Sequence, residues 1–467
     1  MANIIISFVS CYGDTFYKNL SDELIKNGNN IYFVNWSDYI ENINGRYNLK
    51  HQFSFMIDDI FNFKPDVVFN FNFSLPVEIL DKVQAKICII DADSPEIFAN
   101  FELFKEYANK KDFYYAGFQS CDKELYEQAI NKTIAIDRYK YIPMATNFQK
   151  RDVEYQRSIA FLGSNWYGAY LNCYSEDVIN GFKCLYQKYK QNIQLDWTKE
   201  WEQYKKDNDL KTKVTVDKML SLHFLGQKRI KFLSVLSDLG LEIYGPNWNM
   251  VSNFVDIDLG LCVKGGGIYG QENVEDFYNS SKICLNCSCD AAINGFSFRV
   301  MDIMATNACI LTEEKNDFHL LFDKYLSQET VNAVLYKDRY DLREKAKRLL
   351  QDEDLRQRCL KELNNAIEQN GRWKHRIQSF ESFLAIKLLN ISNDNPIFIN
   401  ANNESDIEQN KVKLKTMKKQ YDFDLKKRLK LAYYSVLLLI SQIPIIELTM
   451  PKRKRDYLLK EIEKYWR

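Results

Sequence analysis

The chain has 467 residues, too many for one ordinary domain and suited to two or three. Hydrophobic residues make up 46% and charged residues 27%, with only 17 Gly and 8 Pro, which excludes collagen-like, proline-rich and low-complexity classes. The 63 basic and 63 acidic side chains cancel, so no global positive field exists to hold a polyanion, and nucleic acid is not an expected partner.

Eleven cysteines are an odd number, in a chain large enough to bury a core without staples. The start, Met1-Ala2-Asn3-Ile4-Ile5-Ile6, carries neither a basic stretch nor a small-residue cleavage site. The expectation is therefore no signal peptide, a reducing cytoplasmic setting and free thiols.

Short apolar runs alternate with amphipathic stretches through the first 150 residues. The runs are Ile4 to Val9, Ile31 to Val34, Asp66 to Asn70, Ile87 to Ile90 and Phe113 to Ala116. A helical pattern spans Thr15 to Ile25. Continuous apolar runs bounded by turn residues, with helices between them, predict a buried parallel sheet and an α/β class.

The pattern restarts at Ser158 to Gly163, a strand ending in a Gly turn. A polar, helical stretch over 165–225 reads as an insertion. A helix is expected over Arg229 to Leu239, capped by Gly240. Further strands are expected at Leu241 to Gly245, Lys282 to Asn286, Ala308 to Thr312 and Ala333 to Tyr336. Two successive α/β sheets of this kind predict two facing nucleotide-fold domains, over 1–155 and 156–389. Residues 341–389 read as helices, 390–410 as a polar, Asn-rich linker and 411–467 as a basic helical tail.

The chemistry concentrates in 278–312. A strand ending at Asn286 leads into a loop through Asn294-Gly295, and a helix is expected from Ser297 to Thr306. Gly295 lets backbone approach a ligand, and Ser297 suits an N-cap. A helix start at the C-terminal edge of a parallel sheet suits a diphosphate. Arg299 in the first turn can pair with phosphate oxygens, and Asp302 one turn later can accept both hydroxyls of a ribose diol.

These residues resemble the GT-B glycosyltransferases, and within them the CgeB-like (spore-maturation-protein-like) branch. Retaining members carry E-G-F-G with a second Glu eight positions after the first. Here Asn294-Gly295-Phe296-Ser297 stands at the first part, and Asp302 is eight after Asn294. Leu285-Asn286, Arg299-Val300-Met301-Asp302, Ala305 and Ile310-Leu311-Thr312 fit the branch pattern. Phe161-Leu162-Gly163-Ser164 resembles the first donor-domain strand. Arg229 and Ile243 to Trp248 resemble an arginine-led helix and a G-x-x-W turn, and Tyr269-Gly270 resembles a base-contacting turn. Gly371 to Arg376 resembles the terminal helix that crosses back to the first domain. Asp91-Ala92-Asp93-Ser94-Pro95 resembles a turn facing the cleft.

The resemblance implies a nucleotide-sugar donor, UDP- or GDP-linked, bound by the second domain, with no cofactor beyond that substrate. Its implied contacts are Gly163, Ser164, Arg229, Tyr269, Gly270, Asn294, Gly295, Phe296, Ser297, Arg299 and Asp302. Arg299 or Arg229 would offset the leaving-group charge in place of a metal. In an inverting reaction, Asp93, with Asp14 in reserve, would deprotonate an acceptor hydroxyl. Asn294 in place of the first Glu leaves donor sugar and stereochemistry open. The implied role is transfer of a sugar to a glycan or lipid-linked acceptor in bacterial surface-polysaccharide assembly. A nucleotide-sugar epimerase of the same fold and a non-catalytic sugar-nucleotide or glycan-binding scaffold are the alternatives.

Other patterns carry less. Asp91-Ala92-Asp93 spells D-x-D, a metal motif, but so do Asp256-Ile257-Asp258 and Asp422-Phe423-Asp424. Cys284, Cys287 and Cys289 lack a second pair and a nearby His, so no metal site is expected. The four histidines are dispersed.

In the tail, 411–430 hold nine Lys/Arg and two Asp, and 431–446 are sixteen uncharged, mostly apolar residues. Lys452-Arg453-Lys454-Arg455 follow. The apolar run is short for a span, which needs about 20 residues. Basic flanks suit an interfacial anchor on anionic lipid at the inner face of the cytoplasmic membrane. A helix packed on the protein or on a partner subunit is the other reading, which leaves homo-oligomerisation open.

Overall fold

In the computed structural model, each of the expected apolar runs in the first half becomes a buried parallel strand. The structure describes residues 1–10, 14–91, 101–167, 175–192, 195–212, 214–248, 251, 257–289 and 292–402. Asp93, the second carboxylate of the first D-x-D, lies outside the described residues, as do Asp256 and the 411–467 tail.

The first domain is built on β1 (Asn3–Phe8), β2 (Asn30–Asn35), β5 (Val67–Phe71), β6 (Lys86–Asp91), β7 (Phe113–Gly117) and β8 (Tyr139–Tyr141). A hairpin, β3 (Ile40–Ile43) and β4 (Arg46–Leu49), stands apart. Its turn, Asn44-Gly45, takes positive φ at both positions, as a tight hairpin requires. With β15 (Phe398–Asn400) at one edge, the sheet order is β15–β2–β1–β5–β6–β7–β8. Pairings from β2 through β8 are parallel, with Ile4 opposite both Ile31 and Val67. Ile4, Ile5, Ile6 and Phe8 are fully buried because helices cover both faces of the sheet.

The second domain repeats the plan. It uses β9 (Arg157–Leu162), β10 (Leu241–Tyr244), β11 (Val263–Gly265), β12 (Ser281–Asn286), β13 (Cys309–Glu313) and β14 (Leu335–Tyr336). The order is β11–β10–β9–β12–β13–β14, all parallel. Strand order reverses between β1 and β5 in the first sheet and between β9 and β12 in the second. Those switch points are where open α/β sheets leave a crevice for ligand.

Three expectations change. The helix expected over Arg229 to Leu239 is the second half of one 21-residue helix, Val214–Ser234. Its first half joins helices Glu176–Gln191 and Trp197–Asp207 in a separate core of Phe182, Leu185, Trp197, Trp201, Leu220 and Phe224. Its second half, with Ile230, Phe232 and Leu233, packs in the main core of the domain. So the insertion is anchored to the domain by a shared helix. The strand expected at Ala333 to Tyr336 is half taken by the end of helix Gln328–Val334, leaving a two-residue strand. And 390–400, read as linker, runs along the first domain. Ile31 donates its N–H to the Ile397 carbonyl at 2.8 Å, and Phe398 lies 6.1 Å from Phe33. A three-residue edge strand carries no period long enough to recognise.

Helix Trp373–Leu384 belongs to the core of the first domain, where Trp373, Ile377, Phe380 and Leu384 are buried. Arg372 fastens the crossing: it donates to the Thr146 and Phe148 carbonyls and pairs with Glu368. Nine cysteines are free among the described residues, with Cys284 in the core. No described helix is long and apolar enough to cross a membrane.

Candidate functional site

All strands of each sheet that bear loops toward the other domain run the same way, so their C-terminal ends share an edge. Contacts show that the two edges face each other. Phe16, just after β1, lies 5.7 Å from Phe298, just after β12. Gln119 and Ser120, after β7, bond Gly295 and Asn294.

The floor of the site is the β9/β12 switch point. Asn286, the last residue of β12, is fully buried and acts as a hub. Its amide donates to the Ser288 and Thr312 hydroxyls at 3.1 and 3.0 Å. Its oxygen accepts the Ser297 hydroxyl at 2.9 Å and an Arg299 N–H at 3.5 Å. Ser297 does hold the N-cap position of helix Phe298–Met304, but its hydroxyl caps no helical N–H and serves Asn286 instead.

Gly163, after β9, accepts a hydrogen bond from the Trp248 indole at 2.8 Å. Gly245 closes this corner at φ +152°, where an added Cβ would sit 2.1 Å from the Gly163 carbonyl oxygen. Only glycine lets these two turns meet. A Cβ built on Gly163 would lie 3.6 Å from an Arg299 guanidinium nitrogen, which places that guanidinium over the end of β9.

Arg229 approaches from helix Val214–Ser234 and donates to the Ser164 carbonyl. Its guanidinium lies 5.6 Å from the Phe161 ring. It is only 6% exposed, and its Nε–H has no partner among the described residues. Burial, with the Arg299 charge adding to it, holds its pKa below the usual arginine range. Among the described residues neither arginine forms an ion pair, whereas neighbouring Lys228 is paired with Glu313 at 2.7 Å. Glu313 in turn accepts the Ser288 N–H at 2.7 Å. The two guanidiniums repel each other, and Glu313 and Asp302 act on them only at a distance, outside any ion pair, so the pair could take an anion as a further counter-charge.

The remaining expected residues fall in several places. Asp302 is buried at 7% exposure, and Thr146 of the interdomain connector hydrogen-bonds its carboxyl. Burial raises its pKa to about 7. Its described hydrogen-bond partner is thus Thr146, which precedes β9. Phe296 packs on Phe318 and Phe322 at 6.2 and 6.4 Å, anchoring the loop. Asn294 and Gly295 are joined to the first domain. Tyr269 is exposed at 56% and Gly270 begins helix Gln271–Asn279, both beyond β11, two strands from β9. Asp14 starts helix Thr15–Lys26, half-buried, two residues from the Phe16 that meets Phe298.

Asn286 was expected only as the end of its strand in the branch pattern, and Ser288, Lys228, Glu313, Gln119 and Ser120 were not expected. The adjacency of Lys228 to Arg229 was a signal for one of them. No local spacing signals the others, which meet through pairs as much as 176 residues apart.

Two parallel, Rossmann-like sheets facing across their C-terminal edges, with a terminal helix crossing back, constitute the GT-B fold of glycosyltransferases. Residues 228–382 match the family model described as glycosyl transferase-like. Among solved structures, sucrose-phosphate synthase from Thermosynechococcus elongatus is 10% identical, covers 81% of this chain and 97% of its own, and superposes with a TM-score of 0.50. The β-glucosyltransferase of phage T4 is 12% identical, over 82% of this chain and 99% of its own, with a TM-score of 0.46. Anabaena HepE in complex with UDP-glucose is 10% identical, over 71% and 81%, with a TM-score of 0.44. At these identities the likeness speaks to fold alone. No curated protein matches the chain by sequence.

Proposed function

We propose that this protein is a glycosyltransferase that takes a sugar from a nucleoside-diphosphate donor, UDP- or GDP-linked. The observation that carries the reading is the convergence of Arg229 and Arg299, neither in an ion pair among the described residues, at the switch point of the second sheet. The glycosyl transferase-like match over 228–382 contains both arginines and supports the same reading. The pattern Leu285-Asn286 followed by Arg299 and Asp302 supports a place near the CgeB-like branch.

The chain's own residues suggest the division of labour. Arg229 and Arg299 hold the diphosphate and offset the charge that develops on it as the glycosidic bond to the sugar breaks. Asn286 orients Arg299 and Ser297. Placement of cations in advance means little reorganisation when the bond breaks. The acceptor hydroxyl comes from the first domain's edge, where Asp14 is a described carboxylate and Asp93 a second candidate. We take the acceptor to be a glycan or lipid-linked chain of a bacterial surface polysaccharide, with transfer independent of a metal. The tail over 411–467 would then hold the enzyme at the inner membrane face.

The test is a panel of nucleoside diphosphates and nucleotide-sugars in thermal-shift and transfer assays with the full chain. Stabilisation by one nucleoside class, and acceptor-dependent release of its diphosphate, is the expected result. Absence of stabilisation by every nucleotide overturns the proposal. Conversion of the donor to an epimer without acceptor points to the epimerase instead.

A further inference from the structure

The Asn294-Gly295 turn is tied to the opposite domain by a closed set of contacts. The Asn294 amide donates to the Ser120 hydroxyl at 3.0 Å. The Gly295 N–H donates to the Gln119 side-chain oxygen at 3.1 Å. The Ser120 N–H donates to an Asp317 carboxylate oxygen at 2.9 Å, and the Asp317 N–H returns to the Asn294 carbonyl at 3.0 Å. Asp317 is 1% exposed, on helix Asn316–Phe322 directly after β13.

The fit is close as well as polar. A Cβ on Gly295 would lie 2.5 Å from Gln119 Cγ, so no larger residue leaves room for this approach. The Gln119 loop is itself held from behind, because its N–H donates to buried Asp122 at 2.7 Å. Two residues after Gly295 comes Ser297, and four after it Arg299, both bonded to Asn286. The grip from the first domain thus ends one short loop away from the guanidinium that faces the anion site.

We propose that Gln119 and Ser120 are positioning residues for the donor site, acting through Asn294 and Gly295. When the domains close, the N-terminal domain sets the loop that carries Arg299. When they open, the hydrogen bonds across the boundary break together and Arg299 loses its placement. Diphosphate affinity and domain closure are then one coupled equilibrium. Asn294 is spent on this clasp, leaving donor-sugar recognition to other groups. This inference rests on the anion-site reading of Arg229 and Arg299.

The test uses the full chain with Gln119→Ala, Ser120→Ala, Asn294→Ala, the Ser120→Ala/Asn294→Ala double variant and Ser120→Thr. One readout needs no ligand: residue-resolved amide exchange at Gly295 and Ser120. Gln119→Ala should speed exchange of the Gly295 amide about tenfold or more. The second readout is the Kd of the nucleoside diphosphate found in the panel. Each single variant should weaken it several-fold, the double variant no more than either single, and Ser120→Thr should restore it.

Unchanged Gly295 exchange in Gln119→Ala overturns the clasp. Unchanged Kd in all clasp variants, while Arg299→Gln abolishes binding, overturns the positioning role and leaves the anion site standing. If the wild-type chain binds no nucleoside diphosphate, the functional reading falls, and amide exchange alone decides whether the clasp exists.

Discussion

Replacing Arg299 by Gln separates an anion site from a structural arginine. Arg299 is half-buried, holds Asn286 at a long 3.5 Å and bonds the Tyr278 hydroxyl, and forms no ion pair among the described residues. In the free protein the substitution removes hydrogen bonds to neutral acceptors, a cost on the order of 1 kcal/mol, and the Arg299 charge that favours the buried Asp302 carboxylate. Against that cost stands relief of repulsion, since the Arg299 charge adds to burial in disfavouring the charge on Arg229. These effects oppose one another, so ligand-free stability should change little.

Binding should behave differently. A charge-assisted bond to a diphosphate contributes about 1.5–3 kcal/mol, which is a weakening of about tenfold to a hundredfold in Kd when it is removed. At a ligand concentration of about 100 Kd, the wild type gains about 2.7 kcal/mol of stability, and a hundredfold weaker variant gains only about 0.4 kcal/mol. The assay is a pair of urea-unfolding curves, with and without the nucleoside diphosphate, for each protein. A variant that is several kcal/mol less stable without ligand, yet keeps the full ligand-induced gain, refutes the reasoning and makes Arg299 a structural residue.

Three further outcomes can be checked, two argued from the structure and the last from the tail's sequence. Burial raises the Asp302 pKa to about 7, so its contribution to stability is complete below its unfolded value near 4 and is lost as pH rises through 7. Asp302→Asn should flatten the fall in urea-unfolding stability between pH 5 and 8, by at most about 2.7 kcal/mol; an unchanged slope contradicts the burial argument. Asp59, raised to about 7, and Asp122, raised to about 6, act in the same direction and leave a residual slope. Gly245→Ala places a Cβ 2.1 Å from the Gly163 oxygen at φ +152°, so it should cost about 2 kcal/mol or more and weaken nucleotide binding; wild-type values for both contradict it. Deleting 411–467 should shift the protein from the membrane fraction to the supernatant on flotation with anionic vesicles; an equal distribution removes the anchor.

What the sequence determined by itself is the succession of elements and the neighbourhoods that lie within one strand-loop-helix unit. Runs such as Ile4 to Phe8 and Ile283 to Asn286 read directly as buried parallel strands, because a strand covered on both faces must be apolar throughout. The G-x-x-W turn, the glycine at 295 and the arginine at 299 are legible for the same reason, since turn chemistry and helix starts are local. The hairpin at 40–49, β8, β11 and β15 escaped, being strands of three or four residues at edges, or apart from the main sheets, where burial imposes no pattern.

Tertiary structure decided which side chains are free to act. Asp302 sits at the correct spacing for a ligand contact, yet the chain folds the connector residue Thr146 onto it, and the carboxyl is buried. Lys228 and Arg229 are adjacent cations, yet Glu313, 85 residues from Lys228, forms its ion pair with Lys228 and not with Arg229. Asn294 and Ser120 meet across 174 residues. Such pairings depend on two sheets facing each other at a particular distance, and no periodicity within either segment encodes that distance.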